Sequence, residues 1–419
     1  MAKTPTPKSP AAPFCITSPK GFYAAGLAAG IKKSGKKDLM LLVSDRPCAA
    51  AGVFTTSRTP AEPIIVTQAH LKTKGTRAVV VNAGNANAST GAPGLKNAEL
   101  MCKLVAVEIG CTAKEVVVAS TGIIGVPLPM DKVVAGIAAA IPELGNDALS
   151  AQNAAEAIMT TDLTAKVCGI TVKLGGKTCT LAGICKGSGM IAPNMATMLG
   201  FITCDGAVTP AALSKALKDA TKSSFNRISV DQHTSCSDVV LVLANGAAQN
   251  TPVKTGTADY AKFLSALTNL CRQMAEMIVR DGEGATKVFH VTVAGAKSEK
   301  EGDLIAKSIV NSPLVKCAVY GGDPNWGRIV TAAGYSGAKG VDLKKMKLTI
   351  GEKGKAAIAV YKNGTPVKQS PESFAKLQAA MKAKDIAMTL SMGAGRAEVT
   401  WMGCDLSYDY VKINAEYTT

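Results

Sequence analysis

Short apolar runs with polar or glycine-rich boundaries recur along the whole chain, and this pattern predicts buried β-strands. The runs lie at residues 39–44, 63–68, 78–82, 115–120, 198–205 and 237–246. Residues 170–184 are typical of a β-hairpin because Gly175 and Gly176 offer a two-residue turn between two alternating segments. A second hairpin is predicted at 356–367, where Asn363 and Gly364 form the turn.

Other segments place apolar residues at intervals of three and four, which predicts amphipathic helices. These segments span residues 94–110, 131–141, 209–225, 259–282 and 371–390. The third helix has a capping signal, because Thr209 is a suitable N-cap and Pro210 occupies the first helical position. Strands and helices therefore alternate from end to end, which indicates a layered α/β protein with helices covering sheets. The order of the strands stays open.

The composition supports a large buried core built from small aliphatic residues. The chain has 419 residues, of which 47% are hydrophobic and only 4% aromatic. No apolar run approaches the roughly 18 residues that a transmembrane helix needs. Residues 1–15 are rich in proline and lysine and lack the apolar core of a secretory signal, so we expect a disordered lead-in. Twelve scattered cysteines without a C-x-x-C pair indicate reduced thiols, and we expect a cytoplasmic protein.

The formal net charge of +16 has two interpretations. It describes a solvated basic surface, which is the favoured interpretation, or a field that attracts an acidic small substrate. Nucleic acid is a less favoured partner, because the lysines are dispersed and few aromatic side chains are available to stack on bases. The three histidines, His70, His233 and His290, are far apart in sequence, and no metal site is expected.

Four motifs allow both a chemical and a structural interpretation. Residues 183–192 contain G-x-G-x-x-A, but the following proline and strand argue against the helix that a dinucleotide site needs. Residues 79–91 and 119–125 each follow a strand with small residues, and either could line an anion site or form a plain turn. Residues 231–238 contain Asp, His and Ser, but adjacency in sequence does not make a triad, and a polar loop is favoured. Residues 321–328 are either a loop packed by a tryptophan or a substrate contact.

Residues 186–199, "KGSGMIAPNMATML", resemble the signature of the ornithine acetyltransferases, also called glutamate N-acetyltransferases. The resemblance extends over nearly the whole chain, since several further motifs follow in the order of that family. They are "GFYAAGLAAGIKKSGKKDLMLLVSD", "AAGVFTTS", "VVVNAGNANASTG", "STGIIG", "IMTTD", "RDGEGATK", "GGDPNWGRI" and "NAEYTT". Several independent motifs across about 400 residues make the resemblance specific.

The resemblance implies a precursor that cleaves itself between Ala196 and Thr197. Residues 16–196 would become an α chain and residues 197–419 a β chain. Together the two chains would form a layered αββα sandwich, and two copies of each would form a heterotetramer. The nucleophile would be the new N-terminal Thr197.

The chemistry of Thr197 is consistent with that role. A threonine hydroxyl is a poor nucleophile without a base, and a free α-amine on the same residue can serve as that base. Its pKa is normally about 7.7–8.0, so a useful neutral fraction exists near neutral pH. Within an intact chain the same nitrogen is an amide, and only cleavage makes it basic. The resemblance assigns the oxyanion hole to Thr121 and Gly122.

By the same resemblance, six residues contact substrate. They are Thr160, Lys186, Thr197, Glu283, Asn414 and Thr419, with Thr161 as an alternative to Thr160. The implied reaction is a ping-pong transfer of acetyl from N2-acetylornithine to glutamate, with acetyl-CoA as a further donor in some members. No metal or bound cofactor is implied. Residues 231–238 depart from the family pattern at Gln232, His233 and Cys236, which bears on loop packing and donor preference.

Two other function classes stay open from the residues. The first is an N-terminal-nucleophile amidohydrolase or aminopeptidase of related architecture, in which water takes the acyl group. The second is a basic binding protein that is never cleaved.

Overall fold

The computed structural model describes residues 14–192 and 198–416. The strands of the described residues are β1 (Phe22–Leu27), β2 (Leu39–Phe54), β3 (Thr76–Asn85), β4 (Val116–Ile123), β5 (Lys166–Leu174), β6 (Lys177–Lys186), β7 (Leu199–Cys204), β8 (Ile228–Ser229), β9 (Val239–Ala244), β10 (Val288–Ala296), β11 (Lys347–Glu352), β12 (Ile358–Lys362), β13 (Thr365–Pro366), β14 (Asp385–Ser391) and β15 (Ala397–Cys404). Their helices are α1 (Glu62–His70), α2 (Gly91–Ile109), α3 (Met130–Ala140), α4 (Ala148–Ala157), α5 (Pro210–Lys222), α6 (Ala258–Arg280), α7 (Glu299–Asn311), α8 (Pro313–Gly321), α9 (Trp326–Gly334), α10 (Pro371–Lys382) and α11 (Tyr408–Glu416).

The long strand β2 joins two half-sheets. Its first part pairs with β1 and β3, and β3 pairs in parallel with β4. Its last part, Ala49–Phe54, pairs with β9, and the order continues through β7 and β6 to β5. We call β1, β3, β4 and the start of β2 the first half-sheet. The end of β2 together with β9, β7, β6 and β5 is the second half-sheet.

The two half-sheets stack face to face, and helices cover both outer faces. On β3, Val79 and Val81 lie in an apolar cluster shared by the two half-sheets, whereas Val80 faces α2 and α3. On β9, Leu241 lies in the shared cluster and Val242 faces α5 and α6. Successive strand residues point to opposite faces, so uninterrupted apolar runs are needed where both faces are buried. The expected αββα sandwich is thereby confirmed.

A second, seven-stranded sheet is built from the C-terminal part of the chain. Its strand order is β13-β12-β11-β14-β10-β15-β8. Helices α7 to α10 cover one face, where Val291, Leu348 and Leu390 lie in a cluster with Ile305 and Leu377. This sheet is attached to the sandwich through α6, which contacts β8 and β15.

Most of the predicted elements are present, including both hairpins and the helix that begins at Pro210. The strand predicted at 63–68 is wrong, because these residues form helix α1. Pro63 lies in the first turn of α1, where its missing N–H costs nothing, and Ile64 is buried between the half-sheets. The helix predicted at 371–390 is too long, since α10 ends at Lys382 and β14 follows.

Two expectations concern residues at the limits of the described chain. Residues 1–13 of the predicted lead-in lie outside the described residues, and the chain is described from Phe14 onward. Among the described helices, none combines the length and apolarity that crossing a bilayer requires.

The expected α and β chains would interleave in the second half-sheet. Strands β7 and β9 follow Thr197 in sequence, and they pair in parallel with each other. Strand β9 is hydrogen-bonded to β2 and β7 to β6, and both β2 and β6 precede Ala196. The two strands of the later segment therefore lie between two strands of the earlier one.

Candidate functional site

A pocket of about 170 Å³ opens where β4 and β6 end and the chain enters β9. It is lined by Ala86, Thr121, Gly122, Ile124, Thr160, Thr161, Lys186, Gly189, Met190, Ser235, Ser237, Glu283 and Asn414. Drug-sized ligands usually occupy pockets of about 300–1,000 Å³, so this volume suits a smaller molecule. The structure thus brings together the six described residues that the sequence nominates, and Thr161, the alternative to Thr160, lines the same pocket.

Thr121 and Gly122 lie near the end of β4, and the geometry there requires glycine. Gly122 has a φ of +132°, and a Cβ placed on it would lie 2.3 Å from the carbonyl carbon of Gly84 on β3. The asparagine-rich end of β3 supports this approach. Asn82 donates to the backbone oxygen of Asn85 at 2.8 Å.

Lys186 is the last residue of β6, and its side chain is buried in the pocket wall. Only 8% of the residue is exposed, and Nζ lies 3.5 Å from Oγ1 of Thr121. Burial lowers the pKa of Lys186, while Asp162 and Glu283 favour its charged form. A cation that is partly desolvated in this way interacts strongly with an anionic ligand, because little water screens it.

A buried ion triad holds the backbone around Lys186. Lys166 on β5 is 1% exposed and forms ion pairs with Asp162, at 2.7 Å, and Asp281. Asp162 also accepts the backbone N–H groups of Gly187, at 2.7 Å, and Thr160, at 3.0 Å. Burial alone would raise the pKa of Asp162, but the two neighbouring lysines outweigh it and hold the pKa at about 2. The triad therefore fixes three segments, those around residues 160, 187 and 281.

Glu283 and Asn414 form another part of the pocket wall. Asn414 on α11 donates to Oε2 of Glu283 at 2.8 Å. Gly189 has no side chain where the Glu283 carboxylate passes, since a Cβ there would lie 2.2 Å from Oε2. The Glu283 backbone N–H donates to the carbonyl of Ser188 at 3.0 Å, so the glutamate loop is docked on the glycine-rich loop.

The loop at 231–238 connects β8 to β9 and borders the same pocket. The Asp231 carboxylate accepts the backbone N–H groups of Met190, at 2.6 Å, and Ile191, at 2.8 Å. Tyr410 on α11 donates its hydroxyl to Asp231 at 3.2 Å. The Asp231 carboxylate thus links the glycine-rich loop to α11. This agrees with the interpretation of residues 231–238 as a polar structural loop.

Three predicted residues, Ala196, Thr197 and Thr419, lie outside the described residues. The described chain resumes at Met198, directly after the expected nucleophile. Trp326 of the 321–328 motif packs against Tyr361 with ring centroids 5.5 Å apart, away from the pocket residues.

Sequence reasoning did not single out Lys166, Asp162 or Asp281. Asp162 closes the "IMTTD" motif and Asp281 precedes "GEG", so each lies within two residues of a residue that was singled out. Their ion pairs with Lys166 join positions 115 residues apart at the widest, and no local pattern signals such a contact.

One other group of titratable side chains is Glu276, His290 and Asp385, whose ligand atoms lie within 4.8 Å of one another. Both carboxylates already pair with Arg280, at 2.9 Å and 2.6 Å, and Lys353 pairs with Glu276 at 3.4 Å. The cluster is therefore an ion-pair network in which the cations are protein side chains.

The ArgJ family model matches residues 23–419. The chain belongs to the ArgJ family. An arginine biosynthesis bifunctional protein ArgJ from Symbiobacterium thermophilum is 47% identical over 96% of this chain and 98% of that protein. A protein of the same name from Caldanaerobacter subterraneus is 45% identical over 96% of this chain and 98% of its own length. Family membership confirms the resemblance that the motifs indicate.

Among solved structures, an ornithine acetyltransferase from Mycobacterium tuberculosis in complex with ornithine shares 41% identity. The match covers 43% of the present chain and 95% of the Mycobacterium tuberculosis chain, with a TM-score of 0.39.

Proposed function

We propose that this protein is an acetyltransferase of arginine biosynthesis that transfers acetyl from N2-acetylornithine to glutamate. Family membership supports the reaction class. The observation that carries the assignment to a site is the pocket itself, which gathers Thr121, Gly122, Thr160, Lys186 and Glu283 from four separate segments.

In the proposed first half-reaction, Oγ1 of Thr197 attacks the acetyl carbonyl carbon. The α-amine of the same residue takes the hydroxyl proton, and Thr121 and Gly122 stabilise the oxyanion. The C–N bond then breaks, the proton passes to the departing nitrogen, and ornithine leaves. In the second half-reaction the α-amine of glutamate attacks the threonine ester, which yields N-acetylglutamate and the free hydroxyl.

Lys186 and Glu283 provide opposite charges in the lining of the pocket. We assign Lys186 to the α-carboxylate that both substrates carry, because a buried ammonium is a compact partner for a carboxylate. Glu283 then binds a substrate ammonium, and Asn414 orients its carboxylate. A pocket of about 170 Å³ suits one amino acid at a time, which is consistent with a ping-pong order.

The proposal includes maturation by cleavage between Ala196 and Thr197. The α chain, 16–196, and the β chain, 197–419, would remain associated, with two of each in the assembly. We place the protein in the cytoplasm and assign it no metal or bound cofactor. Acetyl-CoA is proposed as a further acetyl donor for glutamate.

The decisive experiment measures ornithine release from N2-acetylornithine with and without glutamate. A transferase releases ornithine quickly only when glutamate accepts the acetyl group. Equal release without glutamate would instead identify an amidohydrolase. Replacing N2-acetylornithine by acetyl-CoA, and measuring the release of CoA and the formation of N-acetylglutamate, tests the second donor.

Cleavage is tested by mass spectrometry of the purified protein. We expect two fragments, the second beginning at Thr197, in place of the 42.9 kDa chain. Thr197→Ala should stay intact and inactive, while Thr197→Ser keeps a hydroxyl and should still be cleaved. An uncut wild-type chain that is fully active would refute the mechanism.

A further inference from the structure

A buried carboxyl group beside the pocket has no part in the chemistry proposed so far. Asp238 directly precedes β9 and is 3% exposed. Its carboxyl group accepts the backbone N–H groups of Met198 and Ser235. Its Oδ2 atom has no hydrogen-bond partner in the part of the chain that the structure describes. Buried carboxylates without full partners are costly, so such a group calls for an explanation.

The strand register places Asp238 beside the first described residue after the expected cleavage point. Strands β7 and β9 are parallel, and Leu199 pairs with Val239. Met198 and Asp238, the residues directly before these two, therefore lie next to each other. The Val239 N–H donates to the carbonyl of Met198 at 3.0 Å. Met198 is thus held at both its N–H and its carbonyl by two consecutive residues.

The backbone of Asp238 is itself fixed. Its carbonyl accepts the N–H of Thr55, which follows β2, at 3.0 Å. Lys186 on β6 lies opposite Leu199 on β7, and its charge acts on the Asp238 carboxyl. Burial nevertheless dominates and raises the pKa of Asp238 well above its ordinary value. The carboxyl is therefore anchored in a rigid, dry setting and is neutral over a wider pH range than an exposed aspartate.

We propose that Asp238 is a positioning residue for the threonine nucleophile, because its side chain clamps the peptide N–H of Met198, the residue bonded to that threonine. The inference rests on the proposed function and adds a residue to it. A clamp on this amide limits rotation of the adjoining peptide both before and after cleavage. Displacing a reacting group by about 1 Å can cost 10²-fold in rate, so the loss of the clamp should slow both reactions.

The test compares two substitutions at this position. Asp238→Asn keeps an oxygen that accepts the Met198 N–H and stays neutral, whereas Asp238→Leu keeps the branched shape with larger methyl groups and removes the acceptor. Asp219→Asn, at an exposed carboxylate on α5, is the matched control. Each protein is made by cell-free translation, and cleavage is followed over time by mass spectrometry. Acetyl transfer is then measured on the cleaved fraction.

We expect Asp238→Leu to slow cleavage at least 10-fold and to lower kcat by a similar factor with KM nearly unchanged. Asp238→Asn should keep both rates within about threefold of wild type. A general structural defect at this position would not spare the asparagine variant while slowing the leucine variant. The unfolding midpoint is recorded for each protein. If the leucine variant does not fold, Asp238→Ala is the second acceptor-free variant.

Wild-type rates in an acceptor-free variant would overturn the inference. Equal losses in the asparagine and leucine variants at unchanged unfolding midpoints would also overturn it, because the acceptor would then be irrelevant. If wild type and Asp219→Asn themselves show no cleavage or transfer, the proposed function fails, and the role of Asp238 fails with it. Intact function in these two proteins isolates the test of Asp238.

Discussion

Replacing Lys166 by methionine tests whether the buried ion triad supports the pocket. The change keeps most of the side-chain volume and removes the charge that Asp162 and Asp281 share. Breaking a buried pair by removing one partner usually costs about 3–5 kcal/mol, because the other charge is left uncompensated. We therefore expect the free energy of unfolding to fall by about this amount at pH 7.

The pKa of Asp162, which Lys186 and Lys166 lower together, gives a second magnitude for the stabilisation of the Asp162 carboxylate. It lies at about 2, compared with an ordinary value of 3.8. Since one pKa unit corresponds to about 1.4 kcal/mol, the charged form contributes about 2 kcal/mol to folding. A carboxyl group with a lowered folded-state pKa gives this stability above pH 4 and loses it as the pH falls towards 2. The difference in the free energy of unfolding between wild type and Lys166→Met should therefore become smaller below pH 4.

The assay is urea unfolding followed by circular dichroism at pH 7 and pH 3, at one protein concentration. Lys173→Met, an exposed lysine on the same strand, is the control and should lie within about 0.5 kcal/mol of wild type. Acetyl transfer should also fall in Lys166→Met, because Asp162 holds the backbone N–H groups of Thr160 and Gly187. If the two methionine variants unfold alike, or if their difference is independent of pH, the triad does not act as argued.

Three further predictions concern the pocket. Gly122→Ala places a Cβ 2.3 Å from the carbonyl carbon of Gly84, so steady-state kinetics should show kcat reduced by about 10²-fold or more, and near-wild-type kcat would contradict this. In the pH profile of kcat/KM, the alkaline limb should lie below the ordinary lysine pKa of 10.5, because burial lowers the pKa of Lys186 and activity falls as its charge is lost. Lys186→Arg should move that limb to higher pH, and an unmoved limb would assign it to another group. Tyr410→Phe removes a 3.2 Å hydrogen bond to Asp231, so KM should rise several-fold with little change in kcat, and an unchanged KM would show that α11 does not depend on this contact.

Local sequence patterns predicted β3, β4, β7 and β9 well because both faces of these strands are largely buried. The run "AVVVN" at 78–82 is continuously apolar before its final asparagine, which is typical of a strand buried on both faces. It lies within β3 as predicted. The run at 63–68 has equally β-prone residues, but packing of α1 against α2 and β4 decides in favour of a helix. At the end of α10, the segment 385–391 switches to strand pairing with β10 and β11, and only those distant partners reveal the switch.

The pocket residues were accessible from sequence only through motifs, since no periodicity singles out Lys186 or Glu283. Their support was not accessible. The contacts of Lys166 with Asp281 and of Asp238 with Met198 depend on the register of neighbouring strands, which the sequence left open. Long-range pairing of this kind arises from topology and not from local propensity.

The interleaved strands have a consequence for the order of events during maturation. Neither segment on its own can satisfy the backbone hydrogen bonds of the second half-sheet, because β7 and β9 need β2 and β6 as neighbours. Under the proposed mechanism, scission becomes available only to a molecule that has already completed this arrangement. Cleavage would then distinguish molecules that have folded from those that have not. A misfolded copy would keep an uncleaved, full-length chain.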